Sequence, residues 1–173
     1  MTTLTEEQSA QPNWKWLINP MHCLSLGFGF GLSPLAPGTM GTLLGVPIYL
    51  LIMDIGVLFY LSIVLVVIGI GTAVAEYTSD ALGGRDHQAI VIDEIAGFLV
   101  ACISLPSDWV YLLLAFILFR IFDIAKPWPV DFIDQRIKGG IGIMGDDLMA
   151  GLYTLLCIQL LAFMVSIANI YLI

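Results

Sequence analysis

Charge is scarce in this chain, and positive charge scarcest: 12% of the 173 residues are charged, and six Lys and Arg stand against fourteen Asp and Glu. A net charge of -8 excludes a general nucleic-acid surface and leaves too few cations for a polybasic patch on anionic lipid. Cysteine is also rare. Cys23, Cys102 and Cys157 are odd in number and widely separated, with no Cys-x-x-Cys pair for a metal or redox function, so they read as reduced packing residues. The Gly-Lys-Ser/Thr of a nucleotide P-loop is missing. The opening MTTLTEEQSAQPNWKW holds Glu6 and Glu7 where a cleavable signal has a basic end and an apolar core, so the apolar segments are expected to do the targeting.

Apolar length is what the chain does have. With 59% apolar residues and a mean hydropathy of +0.96 it is too greasy to cover itself with a soluble surface. A polar tail, 1–18, precedes a single domain, 19–173. Apolar runs at 38–53, 57–75, 89–105, 109–122 and 148–173 predict an all-α, polytopic membrane bundle of four to five helices. Crossing the hydrocarbon takes about 20 residues, so the second and last runs span comfortably while the first and fourth are short. Asp54 with Gly56, and Pro106-Ser107-Asp108, make tight hairpin connections; longer ones fall at 76–88 and 123–147. With all five runs crossing, the tail and both long loops share one side with every basic residue: Lys15, Arg85, Arg120, Lys126, Arg136 and Lys138. The positive-inside rule puts that side and the amino terminus in the cytoplasm, and the carboxy terminus outside. Trp14, Trp16 and Trp128 flank the runs as interfacial anchors do.

Against this background, two acidic pairs stand out: Asp93-Glu94 within AIVIDEIAGFLV and Asp146-Asp147 opening DDLMAGLYTLL. An uncompensated carboxylate costs roughly 3 kcal/mol at a membrane helix centre on insertion scales, and a divalent cation is the simplest compensation. Each pair shares a pattern. Asp93 is followed by Ala96 and Gly97, and Asp147 by Ala150 and Gly151, so each acid shares a helix face with small residues that allow close helix contact. The third and fifth runs are therefore expected to pack together and bring Asp93, Glu94, Asp146 and Asp147 onto one metal site, with Asp123 as a further ligand.

Between the pairs lies FRIFDIAKPWP. Arg120, Asp123 and Lys126 are spaced by three and project to one side until Pro127 and Pro129 break the helix. Arg120 offers a bidentate fork and Lys126 a point charge to a phosphate. The stretch 27–42, GFGFGLSPLAPGTMGT, is irregular backbone opening into a helix, and Gly38-Thr39 with its neighbours offers free amides and a positive dipole end to the same anion; a re-entrant glycine turn is the competing reading. His87 and His22 are candidate proton-transfer groups, His87 the nearer in sequence to the acids. Asp131, Asp134, Arg136 and Lys138 read as a solvated interfacial helix followed by flexible Gly139-Gly140, and Glu76, Asp80 and Asp86 as rim groups.

Four blocks, GLSPLAPGTMGT, IVIDEIAG, FRIFDIAKPWP and GGIGIMGDDLMAG, in this order and spacing, resemble the signature blocks of the phosphatidylglycerophosphatase A family. The resemblance runs from about residue 19 to 151. It implies a magnesium-dependent phosphomonoesterase, multi-pass in the bacterial cytoplasmic (inner) membrane, that converts phosphatidylglycerophosphate to phosphatidylglycerol and inorganic phosphate. Phe30 stands where members often carry a small polar residue, Thr42 replaces the usual serine and Gly145 a common aliphatic residue. An Asp-x-Asp nucleophile motif and a Cys-x5-Arg loop are missing, which favours direct attack by water with metal assistance over a phosphoenzyme. A small cation transporter or channel using the intramembrane acids is the alternative, but runs two and four carry almost no polar residues through the membrane depth. A noncatalytic assembly protein leaves the converging charges unexplained, and the D-x-x-D-G pattern of CDP-alcohol phosphotransferases is absent.

Overall fold

The computed structural model describes residues 11–84, 87–128 and 130–171, and the side chains of all of these but 133–135 and 171. Arg85 and Asp86 lie outside the described residues. Every regular element among those described is helical. Two 3-10 segments, Trp14–Ile18 and Gly27–Leu32, flank α1 (Pro20–Ser25). There follow α2 (Pro37–Ile52), α3 (Val57–Ala81), α4 (Ile92–Ala101), α5 (Trp109–Ala125), α6 (Val130–Arg136) and α7 (Gly139–Tyr171).

Local chemistry sets several of these limits. Pro37 opens α2, where its missing N–H is no loss, and the Asp108 carboxylate caps α5 by accepting from Val110 N–H at 2.9 Å. Lys126 ends α5 in a left-handed conformation, φ 42°, immediately before Pro127. Asn19 caps α1 in the same manner as Asp108, accepting from Met21 N–H at 2.9 Å.

α4 is the hub, packed against α2, α3, α5 and α7. Its Ala-Gly step lies against that of α7: a Cβ on Gly97 would stand 2.5 Å from the Asp147 carbonyl oxygen, and one on Gly151 would collide with the Gly97 carbonyl oxygen. Small residues are thus required at both positions for the helices to meet. Phe98, fully buried, meets Phe116 and Phe119 edge-on at 6.0 and 6.1 Å. Polar side chains cover the backbone where α4 ends: Tyr60 Oη donates to Leu99 O at 2.7 Å, and Gln159 Nε2 to Ser104 O at 2.9 Å.

Two helices, Val57–Ala81 and Gly139–Ile170, are long and apolar enough to cross a membrane. The four to five spans expected from the sequence reduce to these two on length. The run 89–105 yields a helix of only 10 residues, about 15 Å, most of it buried among its neighbours. Its hydrophobicity belongs to a protein core rather than to a lipid-facing span. α2 and α5, with 16 and 17 residues, fall just short of the crossing length. The last run begins earlier than its hydropathy suggests, because Gly139-Gly140, expected to be flexible, form the first turn of α7, with Glu76 accepting from Gly140 N–H. Outward faces of α3 and α7 are apolar, with Leu58, Leu65, Phe163 and Met164 all at least 60% exposed. So extensive an apolar surface suits lipid, not water.

A buried carboxylate cluster beside an arginine

Asp93 and Glu94 occupy the first turn of α4, whose start is held by Val91 N–H donating to Ser25 O at 2.9 Å. Asp147 arrives from α7 because the Gly97 and Gly151 contact brings that backbone against α4. One carboxylate oxygen from each of Asp93, Glu94 and Asp147 lies within 4.8 Å of the others. Asp93 and Asp147 are 5% and 4% exposed, and Glu94 Oε2 and Asp147 Oδ1 are buried with no hydrogen-bond partner. Bare carboxylate oxygens out of water are costly, so this donor set fits a hard divalent cation, which takes oxygen ligands.

Asp123 reaches the cluster from α5 and lies against Asp147. It also holds Arg120, whose Nη1 is 2.6 Å from Asp123 Oδ2. Arg120 Nη1 lies 3.4 Å from Thr42 Oγ1, which itself donates to Gly38 O at 2.9 Å, and the guanidinium Nε is buried without an acceptor. The first turn of α2 closes this corner. A Cβ at Gly38 would collide with Glu94 Oε1 and stand 3.1 Å from Arg120 Nη2, so only glycine lets the start of the helix approach both charged groups. Thr39 follows on the same turn. Its N–H and that of Gly38 are among the four amides that an α-helix leaves unbonded at its start.

Not every expected residue joins the cluster. Asp146, expected to be a metal ligand, bonds Lys126 Nζ at 2.7 Å, so the acid and the cation expected on the phosphate engage each other. The reason is geometric: Asp146 and Asp147 are adjacent on α7 and diverge by about 100°. The glycine-rich first part of the stretch, Gly27–Leu32, is not an open anion cradle. Gly29 and Gly31 N–H both donate to Leu26 O, and Gly31 packs on Ala89. His87 accepts from Ala89 N–H through Nδ1 at 3.1 Å, bonding within its own turn. His22 contacts Thr78 Oγ1 at 3.0 Å between the rings of Trp16 and Tyr77, and burial lowers its pKa. Glu76, expected at the rim, instead anchors the helix that carries Asp147; an acid directly after a long apolar run, and a Gly-Gly pair to receive it, are the available signals.

A family model for phosphatidylglycerophosphatase A matches residues 23–162. The chain belongs to the phosphatidylglycerophosphatase A family. It is 39% identical over 152 residues to the phosphatidylglycerophosphatase A of Escherichia coli (strain K12), covering 87% of this chain and 88% of the relative. The corresponding Haemophilus influenzae protein is 38% identical over 144 residues, 82% and 88% of the two chains. A Bacteroides thetaiotaomicron protein provisionally named phosphatidylinositol-3-phosphatase is 35% identical over 143 residues, 78% and 89%. No solved structure matches the chain. Family membership makes this chain a phosphatase, in agreement with the resemblance read from its four sequence blocks, and gives the cation-transporter alternative no support.

Proposed function

We propose that the chain is a Mg²⁺-dependent lipid phosphatase that hydrolyses phosphatidylglycerophosphate to phosphatidylglycerol and inorganic phosphate. The observation that carries the reading is the buried meeting of Asp93, Glu94 and Asp147 beside Arg120 and the start of α2. Its substrate rests on the relatives of that name. Asp93, Glu94 and Asp147 would hold the ion, with Asp123 close behind Asp147. When bound, Mg²⁺ supplies Lewis-acid polarisation of the phosphoryl group and acidifies water.

The remaining work falls to the protein. Arg120, fixed by Asp123, directs its free Nε and fork toward phosphoryl oxygens, offsetting the repulsion from so acidic a site. Gly38 and Thr39 N–H add donors at the positive end of the α2 dipole. Water attacks phosphorus, the bond from phosphorus to the glycerol oxygen breaks, and that oxygen leaves protonated; with no side chain identified as a nucleophile, no phosphoenzyme forms. Lys126, paired with Asp146, braces α7 against the end of α5. An inner-membrane location with the site at the cytoplasmic face lets the acyl chains stay in the bilayer throughout.

The direct test is phosphate release from phosphatidylglycerophosphate by purified, detergent-solubilised protein. We expect release with Mg²⁺, loss with EDTA, and recovery on adding Mg²⁺ back. Release that persists in EDTA would overturn the metal role, and folded protein inert on this lipid but active on phosphatidylinositol 3-phosphate would overturn the substrate.

A further inference from the structure

The outward face of α5 carries a feature that the carboxylate cluster does not use. Phe116, Ile117, Arg120, Ile121, Ile124 and Ala125, with Thr39 from the first turn of α2, line an open groove of about 520 Å³. That is within the roughly 300–1,000 Å³ of small-molecule clefts. Its lining is graded. Ile117, Ile121 and Ile124 form a helical stripe and are 45%, 51% and 72% exposed, whereas the Arg120 side chain is only 15% exposed and turns inward to Asp123 and Thr42. Hydrocarbon therefore runs along the groove, and a guanidinium with an unused buried Nε stands at its inner wall. The other exposed apolar faces differ in kind: α3 and α7 contain no Lys or Arg at all.

We infer that this groove seats an acyl chain of the lipid phosphate, so that the head group enters the carboxylate site sideways from the bilayer along α5. The identity of the phosphate ester rests on the phosphatase reading above. Occupancy by a lipid phosphate, not by a neutral lipid, follows from charge: Arg120 lines the groove, and Gly38 packs against both Arg120 and Glu94, so the guanidinium in the groove wall stands beside the carboxylate cluster. A chain held against Ile117 and Ile121 places its phosphate at Arg120, the one cation lining the groove among the described residues.

Photo-crosslinking of the full-length protein in phosphatidylcholine nanodiscs tests this, with phosphatidic acid carrying a diazirine in one acyl chain as the probe. Label is expected to concentrate on residues 116–125 and to be displaced by unlabelled phosphatidic acid but not by additional phosphatidylcholine. Filling the groove with I117W/I121W should lower that label about fivefold, because the two indoles occupy the space the chain would take, while V66W on α3 leaves it unchanged. Label spread over α3 and α7, or displaced equally by phosphatidylcholine, would overturn the groove even if the double variant failed to fold. Phosphate release from phosphatidylglycerophosphate is measured on the same preparations. Hydrolysis without specific labelling removes the groove and spares the phosphatase; specific labelling without hydrolysis does the reverse.

Discussion

Asp146 and Asp147 are neighbours in sequence with different fates, since one bonds Lys126 at 2.7 Å while the other keeps a buried oxygen without a donor. Their variants should separate accordingly. Asp147→Asn, like Asp93→Asn and Glu94→Gln, is expected to lower turnover about 100-fold or more by removing a charged ligand, with membrane insertion unchanged, whereas Asp146→Asn should cost roughly tenfold through misplacement of Lys126 and α7. Phosphate-release rates on protein of verified helicity decide this; equal losses for the two aspartates would dissolve the distinction. Arg120→Lys retains charge but not the fork held by Asp123 and Thr42, and a loss of about 10- to 100-fold in kcat/KM is expected. Wild-type kcat and KM in that variant would return Arg120 to a structural ion pair.

At the scale of elements, the decisive contact is that of α4 with α7. A Cβ at Gly97 meets Asp147 O at 2.5 Å and Phe119 at 2.8 Å, and neither a backbone carbonyl nor a packed ring can yield cheaply. Gly97→Val is therefore expected to destabilise by about 2–3 kcal/mol, as overpacking does, and to pull Asp147 from the other carboxylates. Thermal unfolding in detergent reads the first effect and loss of Mg²⁺-induced stabilisation the second; an unchanged midpoint would mean that the helices meet elsewhere. The Ala-Gly echo behind each aspartate made this pairing legible in sequence, because small residues at i+3 and i+4 have few other uses on an apolar helix. The length of α4 was not legible. A buried core helix and a spanning helix present the same apolar composition, and hydropathy does not say whether the neighbour is protein or lipid.

For the whole molecule, the prediction concerns metal linkage. A cation that binds the folded carboxylate cluster and not the unfolded chain must raise stability as its concentration rises, by about 2.7 kcal/mol at 100 times its Kd. Titrating Mg²⁺ into EDTA-treated protein should raise the unfolding midpoint in wild type and leave it flat in Asp147→Asn. A midpoint indifferent to Mg²⁺ in both would leave the clustered acids without their compensation. The sequence by itself determined the helical class, the family and the residues that bear charge in apolar surroundings, since these depend on composition and on order along the chain. Only the tertiary structure decided which acids converge. Asp147 joins Asp93 and Glu94, Asp146 turns to Lys126, the Gly29 and Gly31 amides bond Leu26, and Gly38 is drawn against Glu94. Each outcome depends on helix rotation and interhelical distance, which arise when side chains from distant segments fill the same space.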